Sequence, residues 1–198
     1  MPKSFDKTKW SDDELVAVAR SGDAEAYEEL VYRHRDKIYA RAFSMVRNED
    51  QALDLSQEAW IKAWQRLHQF HGDSSFPTWI TRITINLCLD FLRKAKRQRA
   101  ESVEAMEESG GGVERHLPVV TPNPTARLER AELRQKIDTA LDRLTEDHRT
   151  VLVLHEFEDL PYKEIAKRVG CSIGTVMSRL FYARRRMAAV MTDLMKER

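Results

Sequence analysis

Cysteine is nearly absent from this chain, with two in 198 residues, Cys88 and Cys171. Neither belongs to a C-x-x-C pair, so no disulfide framework is expected and a reducing compartment fits. Metal ligands are equally sparse. His68 and His71 are neighbours without Cys or carboxylates at ligand spacing, and His34, His116, His148 and His155 are scattered. No metal site and no cofactor are expected. The sequence contains no G-x-S-x-G elbow, P-loop or H-E-x-x-H, which removes the common catalytic signatures and predicts a protein that is not an enzyme. No run reaches the roughly 18 apolar residues of a membrane span. The opening MPKSFDKTKW lacks the apolar core of a secretory signal, so a cytoplasmic location is expected. No stretch alternates convincingly as a strand, and the formal net charge is only +1. Near-neutrality argues against a surface that coats nucleic acid uniformly, but binding depends on where the charge sits.

What the chain does contain is helical periodicity. Ser11 precedes Asp12, Asp13 and Glu14, a favourable helix start, and Leu15, Val16 and Ala19 form its apolar side. Ser21-Gly22-Asp23 interrupts, and Asp23 caps a longer helix carrying Tyr27, Leu30, Val31, His34, Ile38, Ala42, Phe43 and Val46. Asn48 to Asp50 restart the pattern, with Ala52, Leu55, Ala59, Ala63 and Leu67 on one side and Trp60 and Trp64 beside it. A polar loop from His68 to Ser75 follows. Phe76-Pro77-Thr78-Trp79 opens the next helix, where proline is tolerated in the first turn. Its apolar side is Ile80, Ile83, Leu87 and Phe91, and it runs into Arg93, Lys94, Lys96, Arg97 and Arg99. That is more positive charge than capping a helix dipole needs, and it suggests contact with a polyanion.

Residues 101–125 change character. Five glutamates, three consecutive glycines at 110–112, and Pro118, Pro122 and Pro124 break any long period, as in a flexible acidic linker. The linker also explains the charge balance. Residues 1–100 carry 17 cations against 15 anions, residues 126–198 carry 15 against 12, and the linker carries one against five. Each flanking half is mildly basic. The expected fold is therefore all-α, with two helical domains at 1–100 and 126–198 joined by a flexible linker at 101–125.

The second half holds the most informative stretch, LPYKEIAKRVGCSIGTVMSRLFYARRR, residues 160–186. Before it, Leu133, Ile137, Ala140, Leu141 and Leu144 follow helical spacing, and Thr145 caps the helix of Val151, Leu152, Leu154 and Phe157. Within the stretch, Ile165, Ala166 and Val169 line one short helix; Val176, Leu180 and Ala183 line the next. Gly170 supplies the break and Ser172 a hydroxyl cap. This is the helix-turn-helix pattern, whose second helix enters the DNA major groove. Opposite its packed side the spacing puts Gly174, Thr175, Ser178, Arg179, Tyr182 and Arg186, groups suited to base edges and phosphates. An ordinary helical hairpin with a basic end has the same spacing.

Two further groups stand out. Asp54, Gln57 and Glu58 sit among Leu55, Trp60, Trp64 and Leu67. The tryptophans either fill a core or anchor a partner surface, and paired carboxylates without a metal ligand or nucleophile fit an acidic protein-binding patch better than acid–base chemistry. Phe70, Phe76 and Trp79 flank the polar loop and precede the basic helix end. Aromatics beside cations hold unstacked bases, although Phe76 and Trp79 also suit a core.

In combination these segments resemble the bacterial sigma-70 family, specifically its small extracytoplasmic-function class, over nearly the whole chain. SGDAEAYEELVYRHRDKIYARAFSMVRN is similar to the opening of region two, and DQALDLSQEAWIKAWQRLHQF to its core-polymerase-binding helix. FPTWITRITINLCLDFLRKAKR is similar to its promoter-melting element, and residues 144–187 resemble region four. The resemblance implies a dissociable specificity subunit that binds core RNA polymerase and directs promoter recognition and initiation in a stress or envelope response. It implies that Asp54, Gln57 and Glu58 face the clamp helices of the beta-prime subunit. The loop from Phe70 to Phe76 and Trp79 would receive a minus-10 base. Asn86 and Asp90 would lie near the melted strand, with Arg93, Lys94 and Arg97 near its backbone. Ser172, Thr175, Ser178, Arg179, Arg185 and Arg186 would position or read the minus-35 element, with Arg149 touching phosphate. A beta-flap contact and an anti-sigma partner, which could hold the factor at the inner membrane face, are also implied. The sequence departs from the family at Pro161, where a hydroxyl cap is common. Two other functions share parts of the pattern: a helix-turn-helix repressor or activator acting as a free dimer, and a helical adaptor with no DNA role.

Overall fold

The computed structural model describes the backbone of residues 7–102 and 124–196, and side chains of residues 7–100 and 131–196. Most of the expected linker lies outside the described residues. Eight α-helices are present among the described residues, and no strand is found among them. They are α1 (Asp12–Ala19), α2 (Ala24–Val46), α3 (Glu49–Arg66), α4 (Phe76–Ser102), α5 (Pro124–Asp142), α6 (Glu146–Glu156), α7 (Tyr162–Val169) and α8 (Ile173–Lys196). The chain divides into two compact units, Met1–Phe91 and Leu92–Arg198, the division falling inside α4.

Local chemistry sets the helix starts in the first unit. Ser11 and Glu14 form a reciprocal capping box at α1. The Asp23 carboxylate accepts the amide of Ala26 at 2.9 Å to start α2, and Asn48 accepts that of Gln51 at 3.0 Å to start α3. Lys7 lies 2.7 Å from Asp23 and lowers its carboxyl pKa. Arg33 on α2 joins the N-terminal turn to the helices: it contacts Asp12 at 3.1 Å and Glu29 at 2.7 Å, and donates to the Trp10 carbonyl at 2.7 Å. His34 meets the other Asp12 oxygen at 2.7 Å.

Leu15 of α1 and Leu30, Ile38 and Met45 of α2 are wholly buried, α1 and α3 both pack on α2, and Ala52, Ala59 and Ala63 are the buried small residues of α3. Phe76, at 0% exposure, is among the largest fully buried side chains. Its ring centroid lies 6.1 Å from Phe70, 6.0 Å from Trp79, 6.3 Å from Trp60 and 6.2 Å from His34. The two tryptophans of α3 part company. Trp60 is buried, whereas Trp64 is 38% exposed and lies against Tyr27, 4.8 Å between ring centroids. Tyr27 in turn donates its hydroxyl to the Trp60 carbonyl at 2.6 Å, and burial holds its phenol well above the usual range.

In the second unit α8 packs against α5, α6 and α7. Its core line is Val176, Leu180 and Ala183, meeting a buried Val151–Leu154 run of α6 together with Ile165 and Leu141. The Thr145 hydroxyl caps α6 at 3.4 Å through the His148 amide, and the Ser172 hydroxyl caps α8 at 3.0 Å through the Thr175 amide. Gly170 closes α7 in the left-handed region, φ 76°, where a side chain would be strained. Pro161 occupies the N-cap of α7 without a side-chain hydrogen bond, and the helix still forms.

Two outcomes follow from this packing. Phe76→Ala is expected to destabilise the first unit by about 3–5 kcal/mol, checked by denaturant unfolding. Cys88 is wholly buried and its thiol is pushed up to about 12 by that burial, whereas Cys171 is partly exposed. Because the thiolate is the reactive form, brief iodoacetamide treatment at neutral pH is expected to label Cys171 and spare Cys88. Denaturant should then expose both. Mass spectrometry of the labelled peptides checks this.

Candidate nucleic-acid and protein interfaces

The exposed side of α3 is the first surface. Asp54, Gln57 and Glu58 all face solvent, while Leu55, Ala59 and Ala63 are buried on the opposite side. Leu53 at 48% and Ile61 at 58% exposure flank the polar groups along the helix, with Trp64 one turn beyond Ile61. The sequence reading singled out Asp54, Gln57 and Glu58 on this side but not Leu53 and Ile61. Helical spacing alone puts them on the acidic side, eight residues apart and two turns along. Glu58 pairs with Lys62 at 2.8 Å across one turn, a solvent-exposed contact of little energetic weight.

The second surface runs along α4 from the loop before it. His71, Gly72, Asp73 and Ser75 are exposed, and Ser75 accepts the Thr78 amide at 3.4 Å to open the helix. Trp79 is half-buried, packed on Phe70 at 5.2 Å. Asn86 and Asp90 are exposed one turn apart, and Arg93, Lys94 and Arg97 follow, also exposed. Arg82 is exposed on this side between Trp79 and Asn86, a cation the sequence reading passed over. A spacing of three or four from both neighbours would have found it.

Two expected base contacts need correction. Phe76 has no exposed surface and Phe70 only 5%. Neither ring is open to a nucleobase in this conformation: Phe76 packs against His34 of α2 and Trp60 of α3, and Phe70 against Phe76 and Trp79. They form the floor beneath Trp79 and the loop rather than the walls of a pocket.

The third surface is the outward side of α8. Ser172, Gly174, Ser178, Tyr182, Arg185 and Arg186 are exposed, and Thr175 is partly so. Arg179 is turned differently from expectation: its guanidinium lies 2.6 Å from Asp147 on α6. The residues most nearly opposite the core line Val176–Leu180–Ala183 are Gly174, Ser178, Phe181 and Arg185. Phe181 is 60% exposed, a position that the helical period alone would have indicated. The expected phosphate contact of Arg149 is also corrected. This residue is buried on α6, and its guanidinium points inward toward the Leu144 carbonyl at 3.5 Å. It braces the start of α6. Among the described residues no group of His, Cys, Asp and Glu could hold a metal ion, and no helix is long and apolar enough to cross a membrane.

A helix-turn-helix whose second helix presents an exposed polar and basic side, in a chain of two helical units, is the architecture of a helix-turn-helix DNA-binding protein. Comparison with known proteins gives its family. The Sigma-70 region 2 family matches residues 30–98, and the Sigma-70, region 4 family matches residues 134–187. The chain is 34% identical over 190 residues to RNA polymerase sigma-H factor of Pseudomonas aeruginosa, covering 96% of this chain and 98% of that protein. It is 36% identical over 179 residues to the ECF RNA polymerase sigma-E factor of Escherichia coli, covering 88% and 91%. Among solved structures, it is similar to the sigma factor RpoE of Bartonella quintana, crystallised with the anti-sigma factor NepR. The identity is 25% and the TM-score 0.54, over 84% of this chain and 96% of that one. The chain belongs to the sigma-70 family, in its extracytoplasmic-function class: it is a sigma factor that directs RNA polymerase to promoters, and not an enzyme.

The different placements of two arginines generate an expectation. Arg149→Ala should lower stability by about 1–3 kcal/mol, since it removes buried packing and a charged donor, while leaving the salt dependence of promoter binding by holoenzyme unchanged. Arg185→Ala should leave the melting temperature in place and reduce the salt slope by about one. Thermal melts and promoter titrations across a salt series check both.

Proposed function

We propose that the chain grips RNA polymerase and promoter at separate surfaces, with region two at residues 1–100, a linker at 101–125 and region four at 126–198. The observation that carries the polymerase contact is the α3 side where exposed Asp54, Gln57 and Glu58 lie between exposed Leu53 and exposed Ile61 and Trp64. The carboxylates complement a basic helical partner, and the apolar groups supply desolvation energy. The beta-prime clamp helices are the partner the family implies. The second unit would contact the beta flap.

On the DNA side, Trp79 and the exposed loop residues would receive an unstacked minus-10 base, supported from below by Phe70 and Phe76. Stacking on an aromatic contributes about 1–3 kcal/mol per base. Asn86 and Asp90 would meet the melted strand, and Arg82, Arg93, Lys94 and Arg97 its phosphates. Ser172, Thr175, Ser178, Arg185 and Arg186 would dock α8 in the minus-35 groove. Arg179, paired with Asp147, would reach DNA only by giving up that partner. The Bartonella relative was crystallised with an anti-sigma factor, and an anti-sigma partner that covers these surfaces is proposed here too. The factor would act in the cytoplasm and be held at the inner membrane face where that partner is membrane-bound.

No bond is made or broken by this chain in such a scheme. Its contribution is to bind melted promoter better than closed duplex, which shifts the opening equilibrium by that differential affinity. Reconstitution with sigma-free core polymerase tests the reading. Promoter-dependent transcripts are expected. The double variant Asp54→Lys, Glu58→Lys should weaken core binding at least tenfold while retaining the helical content and melting temperature of the parent. Undiminished core binding by that folded variant would rule out the α3 assignment. Stable binding of promoter DNA by a free dimer, without polymerase, would instead identify a conventional repressor.

A further inference from the structure

His34 breaks the pattern of its own helix. Leu30, Ile38 and Ala42 are wholly buried on one line of α2 at four-residue steps, and His34 is the step between the first two. Filling a core there calls for another aliphatic side chain. The position holds an imidazole instead, its ring against Phe76 with 6.2 Å between centroids and 51° between planes. Its Nε2 lies 2.7 Å from an oxygen of Asp12. A carboxylate only accepts, so Nε2–H donates.

Asp12 gives a second, independent observation. The start of α1 does not need it, because Ser11 and Glu14 form the capping box and Asp13 and Glu14 already place negative charge in the first turn. Stability does not account for it either, since part-exposed ion pairs contribute little. Yet the carboxylate is held at both oxygens, by His34 on one and by Arg33 at 3.1 Å on the other. Arg33 is itself fixed by Glu29 at 2.7 Å and by the Trp10 carbonyl at 2.7 Å. A carboxylate locked on both sides fixes the rotation of the imidazole plane. An aliphatic side chain at position 34 has no such handle.

Phe76 passes that orientation on. It is fully buried, with Phe70 at 6.1 Å and Trp79 at 6.0 Å, the rings at the two ends of the polar loop. At interior packing density a turn of one ring has to be matched by its neighbours. The line that begins at Asp12 therefore ends on the half-exposed ring of Trp79. Asp12 itself lies outside residues 30–98, which the region 2 family matches.

We propose that Asp12 and His34 are positioning residues for promoter opening: the Asp12–His34 hydrogen bond sets Phe76, and Phe76 sets the Trp79 face that holds an unstacked minus-10 base. The inference rests on the base contact proposed for Trp79 and adds the N-terminal turn to the apparatus behind it.

Abasic DNA tests this, because it removes the base and keeps the backbone. Holoenzyme reconstituted with the full chain first selects a promoter from DNA randomised at the minus-10 element. The non-template strand of that promoter is then made with an abasic site at each minus-10 position in turn. At the position whose base is held, parent holoenzyme should bind the intact strand about fivefold or more tighter than the abasic one, the low end of one aromatic–base stack. Asp12→Ala and His34→Leu should bring that ratio close to one, by losing affinity for the intact strand alone. Asp12→Asn keeps an oxygen for Nε2–H and should retain the parent's ratio. A variant that merely folds less well loses intact and abasic binding alike, which leaves the ratio where it was. An unchanged ratio in Asp12→Ala and His34→Leu therefore overturns the inference, whatever their melting temperatures. A collapsed ratio in Asp12→Asn overturns its hydrogen-bond basis. If no abasic site weakens the parent, the base contact at Trp79 is itself removed and the inference falls with it, a result distinct from failure of the Asp12–His34 brace alone.

Discussion

The ring of Phe76 sits where three segments of the first unit meet, and the outward surfaces depend on it. Its neighbours are Trp60 from α3, His34 from α2, and Phe70 and Trp79 on either side of the loop. Interiors packed at crystal-like density hold side chains in one arrangement. Filling this position with a large rigid ring therefore fixes where α4 begins and how the loop is tied at both ends. Trp79 emerges one turn later, half-exposed, with its orientation set from underneath. For the base contact proposed here, such a floor would lower the ordering cost of binding.

The second unit uses packing to choose what its recognition helix displays. Val176, Leu180 and Ala183 are pinned against α6, which sets the rotation of α8 about its axis. Once that rotation is set, Gly174, Ser178, Phe181 and Arg185 face outward. Arg179 falls to the flank, where Asp147 takes it. Arg149 is drawn into the base of α6 instead of reaching out. Four arginines of similar appearance in sequence, at 149, 179, 184 and 185, thus have different fates: one is buried, two are ion-paired and one is exposed.

Charge is distributed in keeping with a subunit that works with a larger partner. The total of +1 hides basic ends on α4 and α8 and an acidic side on α3. Exposed cations alone give salt-sensitive, non-specific contact.

Helix identity and order were legible in the sequence because they rest on local chemistry. Ser11, Asp23, Asn48, Thr145 and Ser172 cap helices through hydroxyl or carboxamide and carboxylate oxygens a few residues away, and Gly170 turns the chain because only glycine adopts its φ cheaply. The helix-turn-helix was legible for the same reason, as were the acidic side of α3 and the basic end of α4. What sequence periodicity left open was which of the two tryptophans on α3 turns inward, Trp60 or Trp64. It also could not tell a phosphate-binding arginine from a bracing one, or a base-stacking phenylalanine from a buried one. Those choices depend on contacts between helices distant in the chain, and only the tertiary structure decided them.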